Sequence, residues 1–228
     1  MARTLDEAEE QTYGNVRLLI TSRVESLILD RILKNYHVKH PNVSFRIDVL
    51  TSPEIPPLIQ QGQATAGVSL IRKLPTNVGA ELLARVKYGL YCGLPHRLYG
   101  NSNLTVTDLR TENFVTFATD HLGGVLSPLT IYREQHGYEG KVVGTSYNLD
   151  EIKRMAFAGI GIGLFPCHIV EHDVENGRLW QLPPLEGIGP IDWYFLWDKT
   201  ANLTNSEYLF VELAKAEIAN TPIELRVR

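Results

Sequence analysis

Two kinds of segment alternate along this chain in a fixed order, and that alternation limits the fold more than any other feature. "NVRLLITS" is a short continuous apolar run of the buried-strand type. "SRVESLILDRILKNYHVKHP" follows at once, with Leu27, Ile28, Leu29, Ile32, Leu33 and Tyr36 at helical spacing. That apolar arc is wider than one packed face needs, so part of it is expected to meet a second chain. Ser22 with Glu25 three residues later has the form of a capping box and would start this helix. "VSFRIDVLTS" reads as a second strand, "PEIPPLIQQGQ" as a short helix ended near Gly62, and "ATAGVSL" as a third strand. The order β-α-β-α-β demands right-handed crossovers and so a parallel sheet.

The pattern then begins again. "ELLARVKYGLYCGLPHRL" reads as strands running out of the first sheet. "LTVTDLRTENFVTFATD" gives a turn, a short helix around Asp108 and a buried strand; "GGVLSPLTIYREQHGY" gives a helix and "GKVVGTSYN" a strand. Two α/β units in one chain imply two lobes. The closing stretch "IDWYFLWDKTANLTNSEYLFVELAKAEIAN" supplies a returning strand and a helix with Tyr208, Leu209, Leu213 and Ile218 apolar, which could complete the first lobe. In the strand, Trp193, Phe195 and Trp197 alternate onto one face, a pattern suited to core packing.

The glycine run "FAGIGIGLFP" raises the question of a dinucleotide. A phosphate-binding loop needs strand, turn and helix in that order, because the anion sits on the free N–H groups of a helix start. Here the order is reversed. Asn148 caps a helix in "YNLDEIKRMAFAG", with Glu151 as its capping-box partner, and Gly159 falls where a C′ glycine ends a helix. "IGIGLFP" is then a strand whose glycines admit a close neighbour and which Pro166 stops. No cofactor is expected.

Composition removes several function classes. The 228 residues are 44% hydrophobic, enough for a core without staples. Cys92 and Cys167 fit neither a disulfide framework nor a cysteine-rich zinc site, which favours a reducing, cytoplasmic setting. No apolar run approaches membrane-spanning length, so no membrane partner is expected. A net charge of −4 without a Lys/Arg cluster offers duplex DNA no phosphate-neutralising face.

In open α/β sheets ligands settle beyond the carboxyl ends of strands, near helix starts. Four such exits carry small hydroxyl residues: Thr21-Ser22, Thr51-Ser52, Thr119-Asp120-His121 and Thr145-Ser146-Tyr147. Each exit taken alone is explained by ordinary helix capping, whereas four meeting in one cleft would make a site. Arg23 and His121 stand at two exits and could pair with a carboxylate, arginine through its bidentate fork. Catalytic signals are thin. No G-x-S-x-G elbow is present, and "VGTSYN" comes nearest. His168 and His172 have zinc-compatible helical spacing but no third ligand, so a solvated face explains them and no metal is expected.

In the order and spacing of its motifs the chain resembles the effector-binding domain of LysR-type transcriptional regulators, which has the fold of type 2 periplasmic binding proteins. The carriers are the acidic "RTLDEAEEQ" before "GNVRLLI", then "HPNVSFRIDVL", "LIQQGQATAGV", "VTDLRTENFV" and "IKRMAFAGIGIGLFP". The resemblance implies two Rossmann-like lobes joined by crossover strands, residues 14–91 with 195–228 forming lobe I and 92–194 lobe II. It implies a small-molecule effector between them, of anionic character on our reading. Contacts are expected from Thr21, Ser22, Arg23, Thr51, Ser52, Thr119, His121, Thr145, Ser146 and Tyr147. It further implies a homodimer through the first helix and neighbouring strand, a tetramer in the full-length protein, and DNA binding only through a winged helix-turn-helix upstream of residue 1. On that view residues 1–13 end a linker helix and the chain is a truncated regulator rather than an enzyme. Two departures bear on the Thr51–Ser52 side: Thr65 replaces a usual acidic residue, and Pro56-Pro57 would shorten or disturb the helix after the second strand.

Two rivals share the fold. A transporter's solute-binding protein would need export, and an enzyme acting on a carboxylate would need a general acid or base such as Asp120 or His121.

Overall fold

The computed structural model describes residues 12–227, so the expected linker helix in 1–13 lies almost wholly outside the described residues. Strand β1 (Gly14–Ile20), helix α1 (Leu27–Lys39), strand β2 (Val43–Val49), helix α2 (Ile55–Gln60) and strand β3 (Ala66–Ser69) open the chain. Strand β4 (Val78–Gly93) leads into β5 (Phe114–Phe117), α3 (Ser127–Gln135), β6 (Val142–Ser146), α4 (Leu149–Phe157) and β7 (Ile162–Pro166). The remainder is α5 (Cys167–Glu175), β8 (Leu179–Leu182), β9 (Ile188–Asp198) and α6 (Asn205–Ala219). Among the described residues no helix is long and apolar enough to cross a membrane.

The strands run β2-β1-β3-β9-β4-β7-β5-β6, with β8 paired to β4. β1 is parallel to β2 and β3, and β5 is parallel to β6 and β7, which gives each half its own βαβ winding. β4 and β9 join the halves. They pair antiparallel from Val78 to Tyr88, after which β4 continues against β7 and β8 as far as Gly93. Register shifts between Leu82 and Ala84 and between Val86 and Tyr88 bend this ribbon as it crosses. The chain is thus an α/β protein of two Rossmann-like lobes with crossover strands. What reads in sequence as several strands leaving the first sheet is one long strand, and β8 is an addition the sequence does not announce.

Local chemistry decides where helices start. The capping box at Ser22 does not form: Arg23 has a left-handed backbone (φ 55°), which no helix can continue, and α1 begins only at Leu27. Ser26 takes the N-cap position, and its hydroxyl donates to the Arg226 carbonyl at 3.0 Å instead of serving the helix. Residues 21–25 are thereby left as a loop. At α4 the reading holds in part: Asn148 Oδ1 accepts from Asp150 N at 2.8 Å, while Glu151 turns to Arg154 rather than closing a box. Gly159 ends α4 with φ 73°, and Gly161 is needed because a Cβ there would lie 2.7 Å from the Asn113 carbonyl oxygen. The prolines of α2 occupy its first turn, where the missing N–H costs nothing, so a six-residue helix survives them.

The largest core cluster spans both lobes. In the first, Tyr36, Phe45 and Phe210 meet edge to face, and the Tyr36 hydroxyl donates to the Ser206 carbonyl at 2.6 Å. α6 buries Phe210, Val211, Ala214 and Ile218, so its inner face is turned away from Tyr208, which is exposed.

Candidate functional site between the lobes

Three strand exits of the first lobe and the facing exits of the second converge on one hollow. From the first lobe come Thr21, Ser22 and Arg23 after β1, Thr51 and Ser52 after β2, and Leu70 after β3. From the second come Phe117 at the end of β5, Thr119 just beyond it and Tyr147 after β6. The crossing strands supply Tyr88 and Trp193. Its volume is about 480 Å³.

Not every expected residue lines it. His121 stands instead on an adjoining groove that shares Ser52, Leu70, Thr119 and Tyr147 with the hollow. Thr145 is exposed and lies off the wall, because alternation along β6 turns it away. Ser146 is also outside the lining; its Oγ accepts from Asn148 N at 3.0 Å and shapes the turn into α4.

The walls are held by bonds behind them. Ser69 donates to the Ser52 carbonyl at 3.0 Å, tying the β2 exit to β3. The Thr51 hydroxyl donates to Glu54 Oε2 at 2.5 Å, and its N–H donates to the same oxygen at 2.9 Å. These donors hold the Glu54 carboxyl below its usual range. Thr119 is positioned by its neighbour Asp120, whose carboxylate accepts from Arg133 through both guanidinium arms and from the hydroxyls of Thr116 and Thr130. Asp120 and Arg133 are buried, so the pair is a fixed internal brace. A general base needs a free oxygen, and both of these are taken. Gly124 completes the loop, since a Cβ there would fall 2.0 Å from the Thr119 carbonyl oxygen.

Polarity within the hollow is uneven. The hydroxyls of Thr21, Ser22 and Thr119 form no side-chain hydrogen bond to the described residues. Burial, with Asp120 and Cys167 nearby, pushes the Tyr88 phenol well above its ordinary range, so it stays neutral. Arg23 donates from Nε and Nη2 to the two oxygens of Asp150, at 3.1 and 2.8 Å, so its fork is already filled. The adjoining groove carries Arg72, Lys73 and His121 without a carboxylate among its lining residues. Sequence reading missed Arg72 and Lys73 because the β3 exit has no hydroxyl in its first positions. It missed Arg133 because one cation in a helix reads as solvated surface.

Thr65 lies at the start of β3, at the end away from Leu70 and the hollow. It accepts from Arg17 N at 3.1 Å and donates to Glu207 of α6 at 2.9 Å, so a carboxylate reaches this point from another element. The departure at Thr65 therefore concerns the far end of the lobe. His168 and His172 sit on α5, and among the described residues no group of three or more potential ligands could hold a metal ion.

Comparison with known proteins adds the decisive point. The family described as LysR substrate binding domain matches residues 9–219. This chain belongs to that family. The RuBisCO operon transcriptional regulator of Allochromatium vinosum is 21% identical over 222 residues, covering 96% of this chain and 72% of its own length. Among solved structures, the effector binding domain of QuiR in complex with shikimate superposes with a TM-score of 0.77 at 11% identity, over 92% of this chain and all of that one (100%). The regulatory domain of Synechocystis PCC6803 CcmR in complex with 2-PG gives 0.71 at 18%, over 92% of this chain and 99% of that one. At such identities the likeness shows the fold. As a LysR effector-binding domain, the chain is the ligand-responsive part of a transcriptional regulator.

Proposed function

We propose that the hollow binds a small anionic effector whose arrival closes the lobes and thereby alters DNA binding by the full-length regulator. Its contacts would be Thr21, Ser22, Thr51, Ser52, Thr119 and Tyr147, with Arg23 joining when it leaves Asp150. The observation that carries the anionic character is the groove beside the hollow, where Arg72, Lys73 and His121 stand without a facing carboxylate. A cation-lined approach raises the local concentration of an acid and slows its escape. Shikimate in the QuiR domain and 2-PG in the CcmR domain are consistent with ligands of this size.

The chain acts as a sensor and not as an enzyme on this reading, in the cytoplasm, with DNA contacted through a separate winged helix-turn-helix. The lobes are those of 14–91 with 195–228 and of 92–194, with both boundaries inside or beside the crossing strands. A homodimer would form along α1 and the edge strand β2, supported by the exposed side chains of Leu27, Val38, Ile47 and Val49, and would pair into a tetramer in the full-length protein. Coupling between effector and DNA would be about 1–3 kcal/mol.

The test is thermal shift with shikimate and a panel of small carboxylates, followed by calorimetry on wild type and on Arg72→Gln/Lys73→Gln. Binding by at least one acid, weakened in the double variant, is expected. Failure of every acid to bind would remove the reading.

A further inference from the structure

One residue that lines the hollow carries a polar group that the fold leaves unpaired. Trp193 of β9 borders the hollow and is only 6% exposed. Its indole Nε1–H is shut off from solvent and has no hydrogen-bond partner among the described residues. Such orphans are rare in folded proteins, because a buried donor that gives up water must recover a bond elsewhere. Phe195, two residues along the same strand, is fully buried with no donor at all. None of the hydroxyls that line the hollow bonds to the Trp193 indole, and Leu70, Phe117, Leu126 and Leu149 of the same lining are apolar.

Apart from Arg23, which Asp150 holds, the cations lie elsewhere. Arg72, Lys73 and His121 stand on the adjoining groove and not on the hollow itself, and the two spaces share Ser52, Leu70, Thr119 and Tyr147 on their walls. A molecule spanning the two would have cations along one part of it and the Trp193 side chain along the other.

We propose that Trp193 Nε1–H donates to a second oxygen of the effector, so that the site selects hydroxy or oxo acids over plain carboxylic acids. This rests on the acid-sensing reading above, and adds to it the polar group at the ligand's far end. Trp193 is then a specificity-determining residue, and the cost of its unpaired donor is recovered only when the right ligand is bound.

Two matched pairs of probes test it: benzoate with 4-hydroxybenzoate, and cyclohexanecarboxylate with shikimate. Calorimetry on wild type should give the oxygenated member of a pair about a tenfold advantage, equivalent to about 1.4 kcal/mol. Trp193→Phe should erase that advantage. In wild-type protein the Trp193 indole proton signal, assigned by elimination with Trp180→Phe and Trp197→Phe, should move downfield only with the oxygenated member; this measurement decides if Trp193→Phe does not fold. The same preference in both proteins, or an unmoved indole signal in the complex, overturns the inference while the acid reading stands. If no member of either pair binds wild type, the acid reading fails and this inference with it.

Discussion

Arg23, on the wall of the hollow, is clasped by Asp150 in the first turn of α4, so that a residue of one lobe is tied by two hydrogen bonds to the opposite lobe. Both side chains are nearly half exposed, and an exposed pair of this kind contributes about 0–1 kcal/mol to stability. Its weight is kinetic: the clasp must part for the lobes to open. Asp150→Asn is therefore expected to shift the unfolding free energy by less than about 1 kcal/mol. It should nevertheless speed the release of bound acid, measured by stopped-flow displacement. An unchanged release rate would show that the clasp does not gate the hollow.

The brace behind Thr119 has the opposite balance. Asp120 and Arg133 are buried, and removing one partner strands the other's charge. Arg133→Ala should cost about 3–5 kcal/mol in denaturant unfolding. A loss under 1 kcal/mol would mean that solvent reaches Asp120 once the arginine is gone.

Ser22 and Ser146 separate binding from capping. Ser22 lines the hollow and caps no helix, so Ser22→Ala should weaken acid binding several-fold with an unaltered melting temperature. Ser146 accepts from Asn148 N and lies off the wall, so Ser146→Ala should cost about 1 kcal/mol of stability and leave affinity intact. Calorimetry beside thermal melts distinguishes the two, and the reverse pattern would misplace the site.

Acid should loosen the second lobe through His96. Leu98 N–H donates to its Nδ1 at 3.3 Å, which fixes Nε2 as the protonated nitrogen, 3.3 Å from Glu112. Burial first, and Arg97 second, hold the ring below its ordinary range of about 6.5 despite that carboxylate. The folded state thus prefers neutral His96. Its contribution is complete above pH ~6.5 and declines as pH falls through the lower folded value. His168 is also lowered by burial and acts in the same direction. Melting temperature should drop between pH 7.5 and 5.5, and His96→Gln should flatten the drop. A slope identical to wild type would assign the effect to other groups.

The alternation of strand and helix was legible because burying a sheet on both faces imposes a pattern that few other folds share. Several wall residues were legible too, since Thr21, Ser22, Thr51, Ser52 and Thr119 stand directly after strands. What escaped depended on partners distant in sequence. Ser22 and Glu25 have capping-box spacing, yet a left-handed Arg23 lies between them, held to a residue 127 positions away. Trp193 reads as core because alternation reports which face a side chain takes, not whether its N–H finds an acceptor. Arg133 looks solvated until Asp120 is placed beside it.

The route of the chain also governs its birth. α6 covers α1 and β1, and Phe210 packs on Tyr36, so the lobe begun by β1 to β3 lacks one wall until α6 has been made, after the whole of the intervening lobe. On the ribosome that half must wait, with its aromatic interior open, while the intervening lobe is synthesised. Folding of the two halves is thus out of step with their order in the gene, and a chaperone would find its work in that interval.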